Sequence, residues 1–259
     1  MIRLLSMILA SFLLCIFSNV CAFSAEENFL LINGKSNKNA LEIGPHVDER
    51  MTPCSTFKIA LSLMGFDSGI LLDENHPVWL FQEGYDDFQE SRKTPQTPQS
   101  WIKTSCVWYS RVLATRLGTQ NVLFYLAAFY YGNQDVSGGL TDAWLTSSLK
   151  ISPREQVAFI QKMLQKEHPV SSNAIHMTKQ LLFLEELPNG WKLFGKTGWS
   201  GSISKPDGKN ELGWFIGWIE KGEEFFPFAY NIRENKINLP QRILRVKQLL
   251  IESNVMNNN

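Results

Sequence analysis

The sequence lacks an excess of charge of either sign. Its 259 residues include 25 Lys and Arg against 25 Asp and Glu, so the formal net charge is zero. Because there is no broad basic field to attract phosphates and no acidic run to act as a solvating tail, we predict no nucleic-acid or other polyanionic partner.

Cysteine and histidine are also scarce, with four of each. Cys15 and Cys21 lie in an N-terminal segment that we expect to be removed, which leaves Cys54 and Cys106. Two cysteines do not make a disulfide framework, and we do not favour a bridge between them because each flanks a serine of a candidate motif. The histidines show no ligand spacing such as His-Glu-x-x-His, so we expect no metal site.

After the first 22 residues the sequence has no apolar run long enough to cross a bilayer. Residues 1–22 contain one charge, Arg3, an apolar core and small residues before Ala22, as is typical of a signal peptide cleaved after Ala22. An uncleaved anchor is the alternative, but the apolar run is short of the roughly 20 residues that span a bilayer. We therefore expect residues 23–259 to be exported to the periplasm as a soluble monomer or homodimer with no membrane segment.

Hydrophobic periodicity extends over most of the remaining chain. Strands are predicted at 29–32 and, after a hairpin turn at 188–190, at 191–194, 213–219 and 225–230. Helices are predicted from residue 52 to Gly65 or Gly69, at 101–117, 119–130, 153–165 and 172–184, and after Leu239, with a polar loop at 73–100. The pattern predicts an α/β body, residues 23–54 and 185–259, interrupted by a mostly helical part at 55–184.

A Ser-x-x-Lys spacing is weak evidence alone, since it is expected about once in a chain of this length. It occurs four times here, at Ser55/Lys58, Ser100/Lys103, Ser147/Lys150 and Ser202/Lys205. Only Ser55 follows a proline-bearing turn and opens a long apolar run, residues 59–64. The context therefore selects Ser55 and Lys58.

Serine and lysine three positions apart on a helix lie on one face, so Lys58 can reach the Ser55 hydroxyl. Free N–H groups at the helix N-terminus can stabilise an oxyanion, and a lysine whose pKa burial has lowered can act as a base. This pattern favours a serine nucleophile activated by Lys58. The alternative is an N-cap serine beside a lysine whose stem is buried and whose ammonium reaches solvent.

A second motif, Lys196-Thr197-Gly198, lies on a predicted strand and is expected by chance in only about one chain in twenty of this size. Ser-x-x-Lys followed by Lys-Thr-Gly is the signature of serine β-lactamases and penicillin-binding proteins. The two motifs in this order therefore point to a serine acyltransferase or hydrolase.

The sequence resembles the class D, oxacillin-hydrolysing β-lactamases along nearly all of residues 23–259. The matching stretches are Ser55-Thr56-Phe57-Lys58, Ser105-Cys106-Val107, Tyr131-Gly132-Asn133, Trp144-Leu145, Lys196-Thr197-Gly198 and Gly213-Trp214-Phe215-Ile216-Gly217-Trp218. Class A enzymes would show Ser-Asp-Asn and an upstream glutamate loop instead. Glu185 and Glu186 mimic that loop, but we interpret them as the end of a helix before the hairpin turn.

The resemblance implies an antiparallel sheet flanked by N- and C-terminal helices, with a helical insert. It also implies that Lys58 is carbamylated by carbon dioxide and acts as a general base, with no other cofactor. The Trp144 indole N–H would hold the carbamate, and Val107 and Leu145 would keep the pocket apolar. Trp144 as core packing and Val107 as a helix-face residue are the alternatives.

The remaining site residues are also implied by the resemblance. Ser105, beside Lys196, would pass a proton to the leaving nitrogen. The backbone N–H groups of Ser55 and Trp199 would form the oxyanion hole. The residues expected to bind the substrate or shape its cavity are Lys196, Thr197, Gly198, Arg242 and Tyr131, of which Tyr131 has a mainly structural role and Arg242 could instead be a surface arginine.

The function implied is hydrolysis of penicillin-type β-lactams through a Ser55 acyl-enzyme, which confers antibiotic resistance. Two rivals share the motifs. One is a β-lactam sensor whose acyl-enzyme persists, although such sensors are tethered to multi-span membrane segments for which this sequence offers no candidate. The other is a penicillin-binding peptidase, which need not have an apolar carbamate pocket.

Overall fold

A six-stranded antiparallel sheet lies at the centre of the protein, which we describe from a computed structural model covering residues 25–85, 89–201, 205–208 and 210–257. The strands are β1 (Glu26–Ile32), β2 (Asn39–Ile43), β3 (Phe183–Glu186), β4 (Lys192–Trp199), β5 (Glu211–Lys221) and β6 (Glu224–Glu234). Their order across the sheet is β2-β1-β6-β5-β4-β3. The predicted signal peptide at 1–22 and the motif serine Ser202 lie outside the described residues.

Six α-helices accompany the sheet in the described residues. They are α1 (Lys58–Asp67), α2 (Pro98–Thr104), α3 (Val107–Ala128), α4 (Pro153–Leu164), α5 (Ser172–Leu182) and α6 (Gln241–Glu252). Ser152 caps α4 by accepting from the N–H of Glu155, whose carboxylate accepts from the Ser152 N–H in turn. This capping box and Pro153 explain why α4 begins where the sequence predicted. Within the described ranges no helix is long and apolar enough to cross a membrane.

Strand β5 is buried along most of its length because helices cover both faces of the sheet. Trp214, Ile216 and Trp218 face the larger core, which contains residues of α1 to α5. Phe215 and Ile219 face a smaller core with Val246 and Leu249 of α6, as the period of two along a strand requires. The antiparallel sheet, the flanking helices and the helical insert agree with the predicted fold class.

Two strands were not predicted. β2 pairs with β1 at the sheet edge, so the described part of the chain starts with two strands where one was predicted. The helix predicted at 172–184 ends at Leu182, and Glu185 and Glu186 lie on β3, so their assignment to a helix end was wrong. The predicted hairpin turn at 188–190 does join β3 to β4. Both missed strands are short edge strands, whose weak hydrophobic alternation gives little signal.

The helix predicted at 101–117 is also wrong as a single element. It breaks after Thr104, where Ser105 adopts a left-handed conformation with φ 58° and ψ 37°, and α3 starts at Val107. Within α3 the backbone at Gly118 is non-helical, with φ 76° and ψ 157°, so two helical stretches meet at a kink there, and the predicted boundary between residues 117 and 119 is confirmed. The break matters because it turns Ser105 out of the helical path.

Candidate active site

The first Ser–Lys pair lies at the start of α1. Ser55 belongs to a short 3-10 turn, Cys54–Phe57, that leads directly into the helix, and Lys58 is the first α1 residue. The Lys58 Nζ donates to Ser55 Oγ at 3.2 Å, and the Lys58 side chain is completely buried. A lysine that keeps its ammonium in solvent would be exposed, and no side-chain hydrogen bond caps this turn. The geometry therefore matches the nucleophile-and-base arrangement and not the capping alternative.

The second pair joins Ser105, in the break between α2 and α3, to Lys196 on β4. Lys196 Nζ donates to Ser105 Oγ at 3.0 Å and to the Thr197 carbonyl at 3.1 Å. Lys196 is buried, and burial, followed by the positive charges of Lys58, Arg242 and Arg92, holds its pKa well below its ordinary value. A lysine in this state can exchange a proton with the adjacent hydroxyl.

Strand β4 brings the two pairs together because it lies against the Ser55 turn. A Cβ at Gly198 would be only 3.0 Å from the Pro53 carbonyl oxygen and 3.1 Å from Thr56 Cγ2. Glycine at this position allows the close approach. The structure thus accounts for the glycine of Lys-Thr-Gly without assigning it a substrate contact.

Trp199 ends strand β4, beyond Gly198. Its backbone pairs with Gly213 of β5, and its indole Nε1 donates to Glu211 Oε2 at 2.9 Å. The side chain is partly exposed, with 37% of its surface accessible. Trp199 therefore lies at the edge of the candidate site. Its backbone directly follows Gly198, which packs closely against the Ser55 turn.

Arg242 lies on α6 behind the end of β4. Its Nη1 donates to the carbonyls of Gly198 and Trp214, and its Nε donates to Leu239 O at 3.0 Å. It is buried, which rules out the surface-arginine alternative, and burial lowers its pKa to about 10, so it stays a cation at neutral pH. Arg242 therefore adds positive charge beneath Lys-Thr-Gly while supporting the strand backbone.

The residues expected to surround a carbamate are Trp144, Val107 and Leu145. Trp144 is 2% exposed, and its ring centroid lies 5.2 Å from that of Phe57, next to Lys58 in sequence. Its buried Nε1 has no hydrogen-bond partner among the described residues. Val107 is buried and Leu145 packs against the core. A buried donor without an acceptor costs free energy, so this pocket fits a group that brings an oxygen.

Tyr131, in the Tyr131-Gly132-Asn133 motif, is fully buried between Phe57 and Phe159 at centroid distances of 5.4 and 5.2 Å. Burial raises the pKa of its hydroxyl. This placement favours the structural role over substrate contact. Asn133 also has a structural role, since its Nδ2 donates to Ser148 O at 2.8 Å.

Thr52 is a residue that the sequence analysis missed. Its Oγ1 donates to the Trp144 carbonyl at 2.9 Å and accepts from the Thr146 N–H at 2.9 Å, and its own carbonyl accepts from Trp214 Nε1 at 2.9 Å. Thr52 therefore connects three parts of the chain: the segment that leads to Ser55, strand β5, and the loop between α3 and α4 that contains Trp144, which we call the Trp144 loop. The partners are far away in sequence, so no local pattern could have identified it.

The two cysteines of the described chain, Cys54 and Cys106, are both buried and form no disulfide. Burial raises the pKa of the Cys54 thiol to about 12, so it is not a competing nucleophile. In the part of the chain that the structure describes, no cluster of His, Cys, Asp and Glu is arranged to hold a metal ion.

Comparison with known proteins places this site in a family. Residues 24–248 match the penicillin binding protein transpeptidase domain. The chain is 39% identical to the β-lactamase OXA-9 of Klebsiella pneumoniae over 222 residues, 81% of each chain. It is 33% identical over 215 residues, 83% of this chain, to the regulatory protein BlaR1 of Bacillus licheniformis, of which it covers 34%.

Among solved structures, the class D β-lactamase OXA-427 superposes with a TM-score of 0.81 at 34% identity, covering 87% of this chain and 97% of that one. The superposition shows that OXA-427 shares the fold of this chain. The chain therefore belongs to the penicillin-binding-protein transpeptidase family and, within it, to the class D β-lactamases.

Proposed function

We propose that the protein hydrolyses penicillin-type β-lactams through an acyl-enzyme on Ser55, with Lys58 carbamylated. The observation that carries the proposal is the convergence of two Ser–Lys pairs, with Lys58 Nζ 3.2 Å from Ser55 Oγ and Lys196 Nζ 3.0 Å from Ser105 Oγ. One pair supplies a nucleophile and the other a route for the proton that the leaving nitrogen needs.

Substrate capture depends on positive charge. Penicillins carry a carboxylate, and the cations on this side of the site are Lys196, above the Ser55 turn, and Arg242, beneath the Gly198 carbonyl. An anion beside Lys196 offsets the cost of burying its ammonium, so binding favours the protonated lysine. Thr197, between Lys196 and Gly198, would add a hydroxyl contact to the substrate.

In acylation, Ser55 Oγ attacks the lactam carbonyl carbon as its proton leaves toward Lys58. The carbonyl oxygen becomes an oxyanion held by the backbone N–H groups of Ser55 and Trp199. The ring C–N bond then breaks, and the nitrogen takes a proton from Ser105, which Lys196 replenishes. The products of this step are an ester on Ser55 and an opened ring that carries an amine.

The carbamate, when present on Lys58, supplies a base that is negatively charged and bears oxygens, whereas a protonated lysine is no base. This chain offers it a fully buried lysine and the unpartnered Nε1 of Trp144. Val107 and Leu145 exclude water around the lysine. In deacylation one water attacks the carbonyl carbon of the Ser55 ester, and its proton is accepted at the Lys58 position. The bond from that carbon to Ser55 Oγ then breaks, Ser55 Oγ takes the proton back, and the ring-opened acid leaves.

Export is part of the proposal. The signal-peptide pattern at residues 1–22 would deliver the protein to the periplasm, where β-lactams must pass to reach their targets. Expression of the full chain in a susceptible bacterium should then raise the penicillin concentration needed to stop growth. The matched control is the same chain with Ser55→Ala.

A second candidate function is sensing, which the similarity to the regulatory protein BlaR1 favours. A sensor would form the Ser55 ester and stop, whereas an enzyme would release it. Turnover of a chromogenic cephalosporin, with and without bicarbonate, separates the two. Steady turnover supports the enzyme, while a single burst followed by a lasting increase in protein mass supports the sensor and contradicts the proposal.

A further inference from the structure

Thr52 is fully embedded in the site scaffold without contacting the reacting groups. It is 3% exposed, and its Oγ1 both donates to Trp144 O and accepts from the Thr146 N–H, each at 2.9 Å. One hydroxyl therefore satisfies the two backbone groups that flank Leu145.

The turn that Thr52 holds is strained. Thr146 has φ 80°, a left-handed conformation that β-branched residues rarely adopt. Such a conformation persists only where the surroundings enforce it. The hydrogen bond from the Thr146 N–H to Thr52 is one contact that does so, and it acts two residues after Trp144.

The backbone of Thr52 is anchored from the opposite side. Its carbonyl accepts from Trp214 Nε1 at 2.9 Å, and the preceding residue, Met51, exchanges backbone hydrogen bonds with Ile151 at 3.0 and 2.8 Å. Thr52 is thus fixed to β5 and to the far end of the Trp144 loop. Three residues later the chain reaches Ser55.

We infer that Thr52 is a positioning residue that sets where the Trp144 indole N–H lies relative to Lys58. The inference rests on the proposed carbamylation of Lys58. Without the Thr52 hydroxyl, the strained turn at Thr146 relaxes, Trp144 loses its fixed position, and Lys58 holds carbon dioxide less tightly. Thr52 acts on the reaction only through Trp144.

The test compares the native protein with Thr52→Val, which keeps the shape and removes the hydroxyl, and Thr52→Ser, which keeps the hydroxyl. Thr178→Val is the matched control, because Thr178 is also a buried threonine and its Oγ1 accepts from Ser62 Oγ at 3.0 Å, between α1 and α5. Each protein is titrated with ¹³C-labelled bicarbonate at one pH, and the carbamate carbon signal is followed by NMR. Amide hydrogen exchange at Thr146 and thermal unfolding are measured in parallel.

We expect Thr52→Val to need about tenfold more bicarbonate for half of the carbamate signal and to exchange the Thr146 amide faster. Thr52→Ser should match the native protein in both, and Thr178→Val should lose stability without changing either. The serine rescue keeps the inference testable if Thr52→Val folds poorly, because a Thr52→Ser protein as defective as Thr52→Val contradicts a role of the hydroxyl.

Two outcomes would overturn the inference in different ways. Unchanged half-saturation in a folded Thr52→Val protein overturns the inference alone and leaves the proposed function intact. Absence of a carbamate signal from the native protein, at a pH where it is active, overturns the carbamylation of Lys58 and the inference with it.

Discussion

Lys196 Nζ donates to Ser105 Oγ at 3.0 Å across 91 positions of sequence, from strand β4 to a break between two helices. The contact needs both the left-handed backbone at Ser105, φ 58°, and the close approach of β4 to the Ser55 turn. A hydroxyl and a lysine of lowered pKa are thereby held side by side, next to the Ser55 turn.

Replacement of Lys196 by alanine should lower kcat/KM by about 10²- to 10⁴-fold, because it removes both a proton source and a cation. Ser105→Ala should also lower kcat/KM. In the double variant the fold-loss of kcat/KM should be smaller than the product of the two single fold-losses, because the two residues act as a unit. Steady-state hydrolysis measures all three. Lys192→Ala, an exposed lysine on the same strand, is the control, and equal losses in Lys192→Ala would contradict the assigned role.

Ser55→Ala should abolish turnover and leave the fold intact. No side-chain hydrogen bond caps the turn that contains Ser55, so thermal unfolding should barely change. Hydrolysis and intact mass after exposure to penicillin test this, since no adduct should form. Ser147→Ala, from another Ser-x-x-Lys sequence, should keep its activity. A Ser55→Ala protein that still hydrolyses substrate would refute the nucleophile.

Trp144→Phe should raise the bicarbonate concentration needed for full activity by about tenfold, because it removes the indole N–H and keeps an aromatic ring. Trp191→Phe is a close control, as Trp191 also has a buried Nε1 without a partner among the described residues but lies in the smaller core. Activity titrated with bicarbonate measures the effect. Identical shifts in both variants would mean that Trp144 only packs.

Acid should destabilise the fold through His168. Its ring packs against Phe129 and Phe159, with Nε2 2.9 Å from the Phe159 carbonyl oxygen, and burial lowers its pKa from 6.5 to about 4. Between these values the unfolded state binds more protons, so stability is complete above pH 6.5 and is lost as pH falls toward 4, by on the order of 3 kcal/mol.

Denaturant unfolding from pH 7 to pH 4 checks the His168 effect, and His168→Gln should flatten this part of the profile. Bicarbonate should not restore the stability, whereas it should restore activity lost to decarbamylation of Lys58 within the folded range. An unchanged pH dependence in His168→Gln would rule out this histidine as the origin.

Arg242→Met should lower stability by about 1–3 kcal/mol, because the buried carbonyls of Gly198 and Trp214 lose a donor. It should also raise KM for substrates with a carboxylate. Arg245→Met is the control, because Arg245 also lies on α6 but forms an ion pair with the partly exposed Glu27. It should lower the free energy of unfolding by no more than about 1 kcal/mol and leave KM unchanged. Denaturant unfolding and steady-state kinetics are measured on both variants. An Arg242→Met protein that loses stability but keeps its KM would show that Arg242 supports only the fold.

The catalytic motifs could be predicted from sequence because their chemistry is local. Ser55 and Lys58 are neighbours on one helical face, and Lys196, Thr197 and Gly198 are consecutive. The central strands β4, β5 and β6 could also be predicted, because each contains a strong apolar run bounded by turn residues.

Other features depend on tertiary contacts and leave no local pattern. The break at Ser105 falls within continuous helical periodicity, so that only the pairing with Lys196 reveals its use. Strands β2 and β3 exist because a neighbouring strand offers backbone partners. Thr52 acquires its role from partners 92 and 94 positions away.

The pairing of β1 with β6 has a consequence for biosynthesis. Asn28 on β1 donates to Asn231 on β6, 203 positions later, so β1 cannot pair with its central neighbour until β6 has been made. Closing so long a loop is slow compared with local helix formation. Ser55 and Lys58 emerge from the ribosome early, but their lysine and strand partners on β4 arrive late. Truncation before β4 should therefore leave Ser55 and Lys58 without a working site, and the ability to open a β-lactam should arise only once strands β4 to β6 have been made and paired.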